Sequence, residues 1–135
     1  MRVVVDASVV LAWSYKDEHS PYADGILVQL TRDGASAPPI WPLEVANSIL
    51  VALRKGRISP EDLPGALADV DDLPISIAAE SKDTVFGPVA SIAREQGISV
   101  YDASYVELAL REGLPLATVD VRLREAAQRL GVALA

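Results

Sequence analysis

The sequence predicts an α/β fold with a mainly parallel sheet. Short apolar runs rich in β-branched residues alternate with longer segments of helical pattern, and the turns between them are short. The first run, at residues 2–6, is continuously apolar from Val3 to Val5 before it reaches Asp6. A run of this kind is typical of a strand covered by helices on both faces. No linker or change in composition divides the chain, so we expect one domain over residues 1–135.

The helices have recognisable first and last residues. Ser-Pro pairs at 20–21 and 59–60 each supply a cap and a proline for the first turn, and glycines are placed where helices should stop. The expected strands are at 2–6, 36–38, 75–78, 98–100, 114–118 and 132–134. The expected helices are a turn or two to about residue 13, then 21–32, 42–55, a helix from 59–60 that ends before Pro74, 82–96 with a break near Gly87-Pro88, 101–112 and 121–130. A polar loop is expected at 16–20.

Composition limits the chemistry available to the chain. There is no cysteine, which excludes disulfides, thiolate catalysis and cysteine-based metal sites, and the one histidine, His19, lies in a polar loop. Chemistry must therefore rest mainly on carboxylates. The formal net charge of -7 argues against broad, nonspecific nucleic-acid binding, although an acidic site holding a metal can still receive phosphate. No apolar run is long enough to cross a membrane, and the first one meets Asp6 too early for a signal peptide, so we expect a cytoplasmic protein.

Three predicted strands lead to an aspartate: Asp6, Asp102 and Asp120, each just before a helix. Each could be a helix cap, which is a common use of Asp. Because the carboxyl ends of parallel strands share one edge, the three should also face one crevice. Like charges about 6 Å apart repel by about 3 kcal/mol at an effective dielectric near 20. Converging carboxylates therefore indicate a bound cation or raised pKa values, and all-oxygen ligands suit Mg²⁺ or Mn²⁺.

A fourth acid, Glu44, is expected at the same edge. It lies in the first turn of the helix predicted over 42–55, with Asn47 and Ser48 on the same face. A carboxylate near a helix N-terminus can also be explained by the helix dipole alone. The flanking apolar residues favour an inward polar site instead.

Four segments carry a resemblance to a known family. Val-Val-Asp-Ala-Ser-Val at 4–9, Pro-Leu-Glu-Val-Ala-Asn at 42–47, Val-Tyr-Asp-Ala at 100–103 and Thr-Val-Asp-Val-Arg-Leu at 118–123 follow one another in the order found in PIN domains. Trp13 and the Asp-Glu-His-Ser stretch at 17–20 also resemble a region common in such proteins. Over nearly its whole length the chain resembles a PIN domain, and more narrowly a VapC-type toxin of a toxin–antitoxin pair.

The resemblance implies a three-layer α/β/α sandwich and metal-dependent cleavage of single-stranded or loop RNA, with Mg²⁺ as cofactor and Mn²⁺ as its substitute. It also implies a homodimer and a VapB-like antitoxin whose tail blocks the site. The implied metal ligands are Asp6 and Asp102 directly and Glu44 and Asp120 directly or through water, and the implied orienting groups are Ser8, Asn47 and Thr118.

The sequence departs from the family at Arg122. Some PIN nucleases carry a further acid two residues after the last Asp, so no fifth acid is expected here. Arg122 and Arg124 are instead candidates for contacts with RNA phosphates, or are simply solvated helix residues.

Other functions agree less well with the residues. A haloacid-dehalogenase-like phosphotransferase needs a second Asp two residues after the first, where this chain has Ser8. A phospho-receiver signalling domain needs an acidic pair after the first strand and a Lys after a late strand, but Ala7 follows Asp6 and no Lys follows Thr118. A PIN fold used only for binding would not need all four acids. A PIN nuclease outside toxin–antitoxin systems remains an alternative, and the sequence does not reveal which RNA is cut.

Overall fold

The computed structural model of the protein describes residues 1–14 and 20–135. In these two stretches a four-stranded sheet has the strand order β3-β2-β1-β4, and every neighbouring pair is parallel. The prediction of a mainly parallel sheet is therefore confirmed. The strands are β1 (Val3–Val5), β2 (Ala35–Ala37), β3 (Ile75–Ile77) and β4 (Leu116–Ala117).

The helices lie close to their predicted positions. At the start of α2, Ser20 accepts the Ala23 N–H at 3.1 Å, as the Ser-Pro pair predicts. Apart from Ser20, the predicted polar loop at 16–20, with His19, lies outside the described residues. In the described part of the chain no helix is long and apolar enough to span a bilayer. The helices are α1 (Ala7–Ser14), α2 (Pro21–Asp33), α3 (Ile40–Arg54), α4 (Leu63–Asp71, after a 3₁₀ turn at Pro60–Asp62), α5 (Lys82–Thr84), α6 (Ala90–Gln96), α7 (Val100–Glu112) and α8 (Val121–Arg129).

The central strand β1 shows the layers of the fold. Val4 packs with buried residues of α3, α6 and α7, whereas Val3 and Val5 face the opposite side and pack with α2. Helix α1 contributes Val10 to the first cluster and Val9 to the second. Because successive side chains of a strand point to opposite faces, these contacts place helices on both sides of the sheet. The expected three-layer α/β/α sandwich is confirmed.

The strand predicted at 98–100 is wrong. Gly97 ends α6 in a left-handed conformation with φ of +65°, and the Ile98 N–H still bonds back to α6. Ser99 already caps α7, because its Oγ accepts the Asp102 N–H at 3.0 Å. Residues 98–100 therefore serve to end one helix and begin the next, which leaves no room for a strand. Asp102 lies in the first turn of a helix rather than at a strand end.

Two further boundaries differ from prediction. The last strand, predicted at 132–134, is reduced to an isolated parallel bridge between Leu116 and Leu134. Helix α3 begins at Ile40, two residues before its predicted start, so Glu44 lies in the second turn. The dipole explanation for Glu44 is weaker there, because the effect is confined to the first turn.

The break predicted near Gly87-Pro88 is present as a π-helical turn at Val85–Val89, between α5 and α6. Pro88 has no N–H to donate and its ring crowds the preceding turn, which disfavours regular α-helical bonding there. The turn leaves Phe86 exposed on the surface.

Candidate active site

Asp6 follows the carboxyl end of β1 and is only 5% exposed. Its Oδ1 accepts the Ser8 N–H at 2.8 Å and also the Ser8 hydroxyl, while its Oδ2 accepts the Thr118 hydroxyl at 2.6 Å. The N–H bond is the helix cap that the sequence allowed, here on α1. Since both oxygens are engaged, the carboxylate is held in one orientation.

The surroundings of Asp6 disfavour its ionised form. Burial raises its pKa from 3.8 to about 6, and the hydrogen bonds from Ser8 and Thr118 oppose that rise without cancelling it. A buried carboxyl that titrates near neutral pH is typical of a functional site.

Ser8 and Thr118 join the ends of the two neighbouring strands. Ser8 Oγ lies 3.4 Å from Thr118 Oγ1 and accepts the Val119 N–H at 3.2 Å. Thr118 Oγ1 accepts the Asp120 N–H at 3.1 Å. The two hydroxyls therefore fix the position of the chain between β4 and α8 relative to Asp6.

Asp120 is an exposed residue that caps α8. Its Oδ1 accepts the Leu123 N–H at 3.1 Å, so Asp120 is the helix cap that the sequence allowed. Its negative charge also raises the pKa of Asp102.

Asp102 and Glu44 are half-buried and share one electrostatic environment. Burial and then the negative charge of Asp120 raise the pKa of Asp102, while the Ser99 hydrogen bond and Arg122 lower it. Burial also raises the pKa of Glu44; a hydrogen bond from Tyr105 lowers it, and the charge of Asp102 raises it. Charge effects thus link Glu44 with Asp102 and Asp102 with Asp120, and Asp102 belongs to a helix rather than to a strand end.

Tyr105 is a site residue that sequence reasoning missed. It is 1% exposed, and its hydroxyl donates to Glu44 Oε1. Burial raises its pKa, and the charges of Glu44 and Asp6 raise it further, so it is a neutral donor. It lies three residues after Asp102 on α7, and that spacing places both on one helix face. The three-residue spacing from Asp102 was the sequence signal that could have identified Tyr105 as a site residue.

The remaining predicted residues are less closely involved. Asn47 lies on α3 three residues after Glu44 and is exposed. Arg122 donates to the Gly97 carbonyl at 2.7 Å near Asp102. Arg124 donates to the Thr118 carbonyl at 3.1 Å and stacks on Tyr22, with its guanidinium 5.4 Å from the ring centre, so it supports the structure beneath the site. Contact of either arginine with RNA stays a prediction.

The donor set suits a hard divalent cation, since it consists of carboxylate and hydroxyl oxygens. Among the residues described, however, no three Asp, Glu, His or Cys side chains are grouped closely enough to hold one ion. Mg²⁺ in proteins is commonly held by one or two carboxylates and completes its shell with water. The arrangement therefore fits a partly hydrated ion better than a closed protein cage.

Comparison with known proteins decides the family. The PIN domain sequence profile matches residues 3–129. The chain belongs to the PIN-domain family. Ribonuclease VapC3 from Pyrobaculum aerophilum is 30% identical to this PIN-domain protein over 125 residues, which cover 93% of this chain and 94% of that one. The resemblance to VapC-type PIN proteins is confirmed, and the phosphotransferase and phospho-receiver alternatives no longer apply.

Solved structures support the same fold. A crystal structure of a protein from Pyrobaculum aerophilum has a TM-score of 0.70 and 24% identity, covering 96% of this PIN domain and 95% of that chain. The structure of VapBC2 from Rickettsia felis, bound to a DNA fragment from its promoter, has a TM-score of 0.65 and 13% identity, covering 100% and 98% of the two chains. At these identities the likeness concerns the fold.

Proposed function

We propose that this protein is a divalent-metal-dependent endoribonuclease that cleaves single-stranded or loop RNA and acts as the toxin of a toxin–antitoxin pair. The observation that carries the proposal is the buried Asp6 at the end of β1, fixed by Ser8 and Thr118. Charge effects between Asp102 and Asp120, and between Glu44 and Asp102, support it. Membership of the PIN family and 30% identity to a protein named Ribonuclease VapC3 support it.

The residues divide into ligands and groups that orient them. Asp6 and Asp102 are the proposed direct ligands of Mg²⁺ or Mn²⁺, and Glu44 and Asp120 bind directly or through water. A bound divalent ion would lower the pKa of a coordinated water and stabilise the charge that develops on the phosphate. Tyr105 holds Glu44 by its hydroxyl, in the way that outer hydrogen bonds orient metal ligands generally.

The site needs no histidine. A bound divalent ion would lower the pKa of its water, so no histidine base is required. The one histidine of the sequence, His19, lies outside the described residues. The pKa of Asp6, raised to about 6 without metal, would be lowered by a bound divalent ion, which would keep this ligand ionised.

The proposed partners rest on the resemblance to VapC-type proteins. We propose a VapB-like antitoxin whose basic segment enters the acidic crevice, a homodimer as the active form, and action on RNA in the cytoplasm. Charge complementarity supports the first, since the chain carries a formal net charge of -7. Inhibition by such a segment should be tight at low salt and weaker at high salt. Inhibition that is insensitive to salt would contradict this part of the proposal.

The test is cleavage of a mixed-sequence single-stranded RNA with Mg²⁺ or Mn²⁺. We expect wild type to cut it, and Asp6→Asn and Asp102→Asn to lose at least about 100-fold in rate, as for the loss of one strong transition-state contact. Glu112→Gln is the matched control, because Glu112 is exposed at the opposite end of the helix that carries Asp102. If all four proteins cut at the same rate, the proposed function is wrong.

A further inference from the structure

A cleft of about 280 Å³ lies between the first turns of α3 and α7 and the segment that follows β3. Its walls include Leu43 and Tyr101, which immediately precede Glu44 and Asp102 in the chain, together with Val89. Glu44 and Asp102 themselves do not line the cleft, but the two helices that form part of its wall are those that carry them.

The wall of the cleft is mostly apolar and includes one aromatic ring, that of Tyr101. Leu43 is 67% exposed and Tyr101 is 60% exposed. Tyr101 occupies the first turn of α7, where the Ser104 hydroxyl donates to its carbonyl at 2.6 Å. The backbone that carries the ring is therefore fixed before any ligand arrives. Exposed aromatic rings of this kind are the platforms on which single-stranded RNA bases stack.

The cleft also holds one polar group that needs a partner. Glu80 lines it, and its Oε2 is buried without a hydrogen bond to any described residue. The cation that acts on Glu80, Arg111, is already paired with both oxygens of Glu107 at 2.9 and 3.3 Å. A buried acceptor without a donor is costly, so rotation of the Glu80 carboxylate toward an occupant that supplies an N–H would be favoured.

We propose that this cleft binds one base of the RNA next to the cleaved phosphate, with Tyr101 stacking on its face and Glu80 accepting N–H bonds from its edge. The inference rests on the proposed function, and it adds which base the nuclease prefers next to the cleaved phosphate. A nucleobase has a flat apolar face that can stack on an aromatic ring, and its edge carries N–H groups that can donate hydrogen bonds. Guanine satisfies a carboxylate best, since its N1–H and N2–H groups are adjacent donors on one edge.

Two other occupants agree less well with the cleft. A second copy of the chain could insert the neighbouring Phe86, which is 74% exposed, but a phenyl ring would leave Glu80 Oε2 without a donor. A basic peptide could supply the donor through an arginine. In the experiment below, a second copy is detected by sedimentation, and a cleft that binds a peptide rather than RNA leaves KM and base preference unchanged in Tyr101→Ala and Glu80→Gln.

The experiment measures kcat, KM and the base beside each cut in a mixed-sequence single-stranded RNA. Wild type should prefer guanine at one flanking position. Tyr101→Ala should raise KM by roughly 5- to 100-fold with a smaller change in kcat. Tyr101→Phe should behave as wild type, and Glu80→Gln should lose most of the preference for guanine. Phe86→Ala is the control, because it removes an exposed aromatic ring that does not line the cleft.

The outcomes separate the inference from the proposed function. If wild type cleaves RNA but Tyr101→Ala and Glu80→Gln keep its KM and base preference, the inference is wrong and the nuclease function stands. If Tyr101→Ala changes the sedimentation of the protein from dimer to monomer, the cleft is a protein interface and the inference is also wrong. If wild type does not cleave any RNA, the proposed function itself fails. Far-ultraviolet circular dichroism checks that each variant is folded.

Discussion

Replacing Asp6 with asparagine should stabilise the protein at alkaline pH in the absence of metal. The pKa of Asp6 rises from 3.8 to about 6 on folding, a difference of about 2, and each pKa unit corresponds to about 1.4 kcal/mol. The ionised carboxylate therefore destabilises the fold by roughly 3 kcal/mol. Asparagine removes the charge and keeps the acceptor for the Ser8 N–H. One weakened hydrogen bond costs about 1 kcal/mol, so the net gain is about 2 kcal/mol.

The pH dependence gives the sign of the effect. Because the pKa of Asp6 is higher in the folded state, its penalty is fully present well above pH 6 and disappears as the pH falls toward 4. The difference between Asp6→Asn and wild type should therefore be largest at pH 8 and small at pH 4.5. Urea unfolding in EDTA at both pH values measures it, at one fixed protein concentration.

A matched variant tests the other side of the same contact. Thr118→Val keeps the shape of the buried side chain but removes the hydroxyl that donates to Asp6 Oδ2 at 2.6 Å. It should lower the free energy of unfolding by about 1–3 kcal/mol at pH 8. If Asp6→Asn is instead less stable than wild type by the same amount at both pH values, Asp6 is a structural cap and the electrostatic reasoning is refuted.

Three further predictions concern the helices around the site. Ser99→Ala should lower the free energy of unfolding by about 1 kcal/mol through the loss of the α7 cap, whereas Ser99→Asn should not; urea unfolding compares them. Tyr105→Phe should raise the pKa of Glu44, because the hydrogen bond that it removes favours the ionised carboxylate. The same change should reduce RNA cleavage. Carboxyl-carbon NMR titration measures the pKa of Glu44, and an unchanged value would contradict the assignment. Arg122→Ala should raise the pKa of Asp102 in the same titration, and less so in high salt.

Much of the site was predictable because it depends on a rule of topology. The carboxyl ends of parallel strands share one edge, and Asp6 follows a strand that can be identified from three consecutive valines. Asp120 follows β4 in the same way. The hydroxyls of Ser8 and Thr118 were implied by the resemblance to PIN domains, and both contact Asp6.

What could not be predicted depends on tertiary packing. Asp102 was assigned to a strand end because the short segment Ile98-Ser99-Val100 looks alike in a strand and in a helix junction. The end of α6 at Gly97 and the Ser99 cap decide between them. The burial of Tyr105 and the unpartnered oxygen of Glu80 arise from where α7 lies against α3 and the segment after β3. No local pattern encodes those distances.

The central claim is that acids from separate elements act as one cation site. The most direct test is a double-mutant cycle on Mn²⁺ affinity by isothermal titration calorimetry, using wild type, Asp6→Asn, Asp102→Asn and the double variant. A shared ion predicts that each single change weakens Mn²⁺ binding at least about tenfold and that the double change costs less than the sum of the two. Affinities that are unchanged, or free-energy losses that simply add, would contradict a shared site.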